Sequence, residues 1–203
     1  NKVIKISNDV ISQMLFKLEN YEKALSIHNV FSVTSQSLMN LSEYKKANII
    51  HFHMFHNTRL SLASLPKISK EKKVILSIHD PWMLTGRCVH FYKCKKWING
   101  CDDCGDLSNT FEFNKDNTNL MWNIKKKVLN NSNIDYIVSS DWMYKNALKS
   151  QFILNKKRIH LIPFGIELNR FKNNNNQKEL KKELNIPEHN IVLFHRAQLE
   201  FKG

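Results

Sequence analysis

The chain has 203 residues, 42% hydrophobic and 24% charged, the proportions of one globular domain or of one domain with part of another. No run of about eighteen apolar residues occurs, which excludes an apolar membrane-spanning helix. The formal net charge of +13 would suit nucleic acid, anionic lipid or phosphorylated substrates. No RNP sequence, helix-turn-helix or C-x-x-C…H-x-x-x-H finger accompanies it, so nucleic-acid binding is not expected.

The chain opens on NKVIKIS, without Met or a signal-peptide pattern, and stops at Lys202-Gly203 just after a strand-like run. It reads as a fragment at both ends, so missing targeting signals say little about the parent. In DVISQMLFKLENYEKAL the apolar residues Val10, Ile11, Met14, Leu15 and Leu18 have helical spacing, with Asn8 or Asp9 as cap. The next stretch, to about residue 46, carries no motif.

From residue 47 the pattern is a strand–helix alternation. NIIHFH predicts a short buried strand, MFHNTRLSLASLPKIS a short helix, and VILSIHD a second strand. Asp116 predicts the cap of a helix through Asn131 with Leu120, Ile124 and Val128 on one face. IDYIVSS is a third strand, Asp141 opens another helix, and RIHLIPFG is a fourth strand. These alternations predict an α/β fold: a Rossmann-like parallel sheet with strands near 48–53, 74–79, 134–139 and 159–163 and helices on both faces. A linker at 164–176 divides this domain (1–163) from the start of a second α/β domain (177–203), whose helix QKELKKELN leads to the strand-like IVLFHRA.

The densest chemistry follows the second strand. His79 and Asp80 stand at its C-terminal end, where open α/β sheets place their ligands, and Pro81 stops the strand. The long loop beyond holds Trp82, Trp97 and all four cysteines. Cys101 and Cys104 form a C-x-x-C that suits one metal ion, whereas Cys88 and Cys94 are spaced more widely. Structural zinc, disulfides and free thiols remain open, and either bridged form would fix the loop without leaving zinc an open catalytic position. His51 and His53 alternate on one strand face, with His56 beyond them. Arg196 and Lys202 bracket the last strand-like run, where two cations could hold a diphosphate.

These stretches together, ANIIHFH, LSIHDPWMLTGRCVHFYKCKKWINGCDDCG, MWNIKKK, IVSSDWM, IHLIPFGIELNRF and FHRAQLEFKG, resemble the family-four retaining glycosyltransferases of GT-B fold. They are most similar to the colanic-acid and exopolysaccharide type with its HD-x-W-x-x-T-G-x-C signature. The resemblance covers roughly residues 47–203 and implies an N-terminal acceptor domain, with a C-terminal domain gripping a nucleotide-sugar donor. By the same resemblance, His79 is the histidine contacting donor sugar and phosphate. Arg196 and Lys202 match the cations that neutralise the diphosphate, with Gly165 in the hinge P-F-G-I. Asp80, Trp82, Thr85, Gly86, Ser140 and Trp142 fall on the acceptor side of the cleft. Ser139 stands in place of the usual Pro, and Phe164 and Glu167 in place of Asn and Asp. The family's Gly-rich loop and paired glutamates are not found in this chain, so the resemblance implies a fragment that is inactive by itself.

The implied activity is transfer of a sugar, with retention, from a nucleotide-sugar to a glycan or lipid-linked acceptor in surface polysaccharide biosynthesis. It would proceed in the cytoplasm or peripherally at the inner face of the cell membrane, and no catalytic metal is expected. The alternative from another class is a zinc-stapled basic module binding nucleic acid or an anionic surface.

Overall fold

The computed structural model describes residues 9–31, 34–108, 111, 113–171 and 176–192, with side chains from residue 13 onward. The chain divides into two compact units, Asn1–Pro163 and Phe164–Gly203.

In the first unit, helices α1 (Asp9–Ala24), α2 (Thr34–Asn40) and α3 (Ser42–Lys46) precede strand β1 (Ile49–His53). Two 3₁₀ turns and α4 (Leu65–Glu71) lead to β2 (Lys73–Ile78). After the cysteine loop come α5 (Thr118–Asn130), β3 (Ile134–Val138), α6 (Asp141–Lys149) and β4 (Ile159–Leu161). The four strands form one parallel sheet in the order β1-β2-β3-β4. The α/β reading of the sequence is therefore the observed architecture.

Strand order explains where the core lies. When successive parallel strands are added in one direction, right-handed crossovers put every connection on the same face. The burial pattern agrees: Phe52, Val74, Leu76, Ile78, Ile134, Tyr136 and Val138 are buried and alternate with residues that are not. Their face carries Leu62, Leu65 and Ile68 near α4, and Met121, Trp122 and Leu129 from α5. The opposite face, with His51, His53, Ser77 and Ile137, stays exposed or half-exposed. Helices on both faces were expected; among the described residues, one face is packed.

Several local expectations shift. The segment 54–69 is two 3₁₀ turns and a short helix, because Met54 turns left-handed (φ 45°) and Pro66 fits only a helix's first turn. In α5 the buried face is Met121, Trp122, Lys125 and Leu129, whereas Leu120 is 48% exposed. Asp116 still serves the helix start, its Oδ1 accepting from Thr118 N (3.1 Å) and Oγ1 (2.6 Å). In α1, Leu15 is buried while Met14 is exposed. Strand β4 has three residues, shorter than the RIHLIPFG run.

The second unit contains α7 (Gln177–Glu183); the expected strand IVLFHRA lies mostly outside the described residues. Among the described residues no helix is long and apolar enough to cross a membrane.

Candidate functional site

The site grows from the parallel register of β1 and β2, which sets His51 opposite Ile75 and His53 opposite Ser77. Residues two apart on a strand share a face, so His51, His53, Ser77 and His79 form a patch on the open side of the sheet. His51 Nε2 is 2.9 Å from Ser77 Oγ, and His53 Nδ1 is 2.9 Å from His79 Nε2. The His53 and His79 rings stack at 5.2 Å and 28°, and His51 lies 4.0 Å from His53 between centroids. Burial lowers the pKa of His79, the neighbouring His53 lowers it further, and Asp80 opposes both. His51 is lowered by burial, then by His53 and His79. A neutral imidazole has one N–H to donate and one nitrogen to accept, which suits it to hydroxyl groups.

Past His79 the chain enters a 3₁₀ turn, Pro81–Leu84, whose start Asp80 caps by accepting from Trp82 N at 2.9 Å. The other Asp80 oxygen lies 3.6 Å from Nε2 of the buried His56. Burial lowers the His56 pKa, Asp80 raises it, and Lys125 and His79 lower it again. Trp82 and Thr85 are fully buried, so both act beneath the surface. Under them lies Lys125 of α5, itself 0% exposed. Its ammonium donates to Trp82 O (2.7 Å), Thr85 O (3.0 Å) and Gly86 O (3.2 Å), and sits 3.4 Å from the Trp82 ring centre.

The cysteine loop is pinned by nitrogen donors. Buried Arg87 donates through Nη1 to Asp106 O (2.6 Å), and through Nη2 to Leu107 O (3.0 Å) and Phe111 O (2.5 Å). Trp122 Nε1 donates to Trp97 O at 2.7 Å, and Phe91 stacks between Trp97 (4.7 Å) and Trp142 (5.4 Å). Cys88, Cys94, Cys101 and Cys104 all line one cleft of about 310 Å³, and all four are free thiols. Disulfides are therefore not what holds this loop.

Among the described residues, no three His, Cys, Asp or Glu side chains come together as a metal site. Burial raises the Cys88 thiol and pushes the Cys101 thiol up to about 11. Two sulfurs are otherwise engaged: Cys101 Sγ accepts from Gly86 N (3.2 Å) and Cys104 Sγ donates to Asp106 O (3.2 Å).

A larger cleft, about 490 Å³, opens between α1 and the turn after β1, with Glu19, His28, Asn29, His56, Arg59 and Phe111 in its walls. The Glu22 carboxylate organises it by accepting from the backbone N–H groups of Asn29 (2.9 Å), Val30 (2.6 Å) and Phe31. His28 packs on Phe111 (4.2 Å) and edge-on to Trp82 (5.5 Å). Burial, then Lys125 and His56, lowers its pKa to about 3. Because His56 borders this cleft and also meets Asp80, the cleft adjoins the histidine patch.

Of the other expected residues, Ser140 caps α6 by accepting from Met143 N (3.2 Å), a structural task. Trp142 is 46% exposed and stacks on His90 at 5.8 Å and 17°, leaving much of its ring open. Gly165 belongs to the second unit, and Arg196 and Lys202 lie outside the described residues. Sequence reasoning missed the His56–Asp80 pair, the 490 Å³ cleft and Lys125. Only the last left a signal, since Met121, Lys125 and Leu129 recur every four residues on one helical stripe.

No family model matches the chain. A protein of Escherichia coli (strain K12) that carries the name of a colanic acid biosynthesis glycosyl transferase, WcaC, is 32% identical over 68 residues. The match takes in 30% of this chain and 17% of that protein, so the chain spans well under two thirds of this relative.

Proposed function

We propose that this chain is part of a glycosyltransferase that moves a sugar, with retention, from a nucleotide-sugar donor to a glycan or lipid-linked acceptor in surface polysaccharide biosynthesis. The observation that carries the reading is the hydrogen-bonded His53–His79 pair at the C-terminal edge of a parallel sheet, the place where such sheets bind ligands. The similarity to the E. coli protein supports the reaction class. The sheet and its helices are consistent with the acceptor-side half of a GT-B enzyme, and the basic balance of the chain with a peripheral place at an anionic membrane face.

In this reading His79 donates to a donor-sugar hydroxyl or a phosphate oxygen, while His53 fixes its tautomer through the 2.9 Å bond. By the resemblance, Arg196 and Lys202 are the cations that stabilise the departing diphosphate as its charge develops. The acceptor enters by the 490 Å³ cleft, and half-exposed Trp142 offers a face for a sugar ring to stack on. The cysteine loop serves as a packed wall, and no step depends on a metal.

The test is His79→Ala in the native protein, assayed by nucleoside diphosphate release from a panel of nucleotide-sugars. Loss of a contact that strengthens in the transition state lowers kcat by about a hundredfold, on the order of 3 kcal/mol. The melting temperature is expected to stay put, because His79 is not in the packed core. Full turnover with reduced thermal stability would make His79 structural and refute its assigned role.

A further inference from the structure

Lys125 has a chemistry that the proposed reaction does not use. It is one of three consecutive lysines, yet it alone is wholly buried, and no carboxylate lies against its ammonium among the hydrogen bonds and ion pairs of the described residues. Its partners are three carbonyls of one turn, at 2.7, 3.0 and 3.2 Å. A neutral amine has two N–H donors and an ammonium has three, so the acceptor count calls for the charged form. The Trp82 ring 3.4 Å away favours a cation as well.

A methionine would fill the same space without the desolvation cost of a charge. The position therefore has a use for the charge itself. The turn that it holds begins directly after His79 and Asp80, and Gly86 at its far end is pressed against the first residue of α5. The groups that feel Lys125 come from every side: Asp80 from the end of β2, Cys88 and Cys101 from the cysteine loop, His28 from the segment after α1, and His56 from the turn after β1. We propose that Lys125 is a positioning residue, a buried ammonium that locks the 82–86 turn and through it holds the Asp80–His56 pair beside the cleft in its working arrangement. The role rests on the reaction proposed at His79; the lock itself does not.

Burial pulls the Lys125 pKa well below that of a free lysine, against the two thiols and Asp80, which when ionised favour the charge; the three carbonyl acceptors and the Trp82 ring are the geometry that calls for the ammonium. After burial, the Lys125 charge is among the causes that lower the His56 and His28 pKa values, so deleting it should be read at those rings. The experiment is ¹⁵N NMR of the chain at pH 7, counting the protons on Lys125 Nζ, with imidazole titrations of the wild type and of Lys125→Met. Three protons on Nζ are expected. In Lys125→Met the His56 midpoint should move up, as on removal of a nearby like charge. Two protons on Nζ, or a folded Lys125→Met with an unmoved His56, would overturn the proposal. If Lys125→Met does not fold, the proton count in the wild type decides alone. Neither readout needs sugar transfer, so failure here leaves the transferase reading standing. Absent transfer, with both readouts as expected, strikes that reading alone.

Discussion

Replacing Gly86 by alanine probes the packing of the site's floor at one point. A Cβ at Gly86 would stand 2.4 Å from Thr118 O, 3.0 Å from Cys101 Cβ and 3.1 Å from Thr118 C. The closest atom is backbone at the first residue of α5, so it cannot swing aside as a side-chain tip can. Relief requires the loop to lift, which stretches the Lys125 bond to Gly86 O (3.2 Å) and the bond from Gly86 N to Cys101 Sγ (3.2 Å). Overpacking of this kind costs about 1–3 kcal/mol, and the loosened bonds put Gly86→Ala at the upper end, about 3 kcal/mol. Gly105→Ala in the same loop is the control, since its Cβ would meet nothing within 4 Å. It should change stability by about 0.5 kcal/mol or less, because no contact is disturbed. Urea unfolding followed by tryptophan fluorescence measures both. With a slope of about 1–3 kcal/mol/M, Gly86→Ala lowers the midpoint by roughly 1 M or more. Equal midpoints for the two variants would refute the close approach of this loop to α5.

Two further outcomes follow from the geometry. Arg158 holds Asp135 through Nε–Oδ1 and Nη2–Oδ2 bonds of 3.1 Å each, and these bonds keep the carboxyl below its usual range. A lowered folded pKa adds stability above the unfolded value, about 3.9, and loses it as pH falls through the folded value. Asp135→Asn should therefore cost about 0.5–1 kcal/mol at pH 7 for this partly exposed pair, and the gap from wild type should close as the solution is acidified below about pH 4. A gap that widens in acid would contradict the pairing. Thiol titration should find four free cysteines after unfolding without reductant. In the folded protein, exposed Cys94 should react on the order of tenfold faster than Cys101, which burial holds protonated. Fewer than four thiols, or Cys101 reacting first, would contradict the loop as described.

The sheet was legible because its strands are apolar at most positions: VILSI and IDYIV could be little else between helical segments. His79 and Asp80 were legible because a strand stopped by Pro81 announces where its last polar side chains emerge. The cysteine loop was harder. Its four sulfurs drew attention to metal or disulfide, yet the groups that hold it are Arg87, Trp122 and Lys125, which donate to carbonyls far along the chain. Backbone acceptors have no signature in a sequence. Lys125 stands in a run of three lysines, and only its phase with Met121 and Leu129 marks it as buried. The 490 Å³ cleft draws on residues from Leu15 to Phe113, an assembly that no local pattern encodes.

The central claim is sugar transfer at the His79 edge of the sheet, and its most direct test is transfer itself. The native protein would be incubated with labelled nucleotide-sugars and with membranes of its source cell as the supply of acceptors. The anomeric configuration of any product would then be read by NMR. The account predicts that label from a donor passes into a glycan or lipid-linked fraction with its anomeric configuration kept, and that His79→Ala abolishes most of it. No transfer from any nucleotide-sugar, with binding to nucleic acid or anionic vesicles that falls steeply with salt, would contradict it.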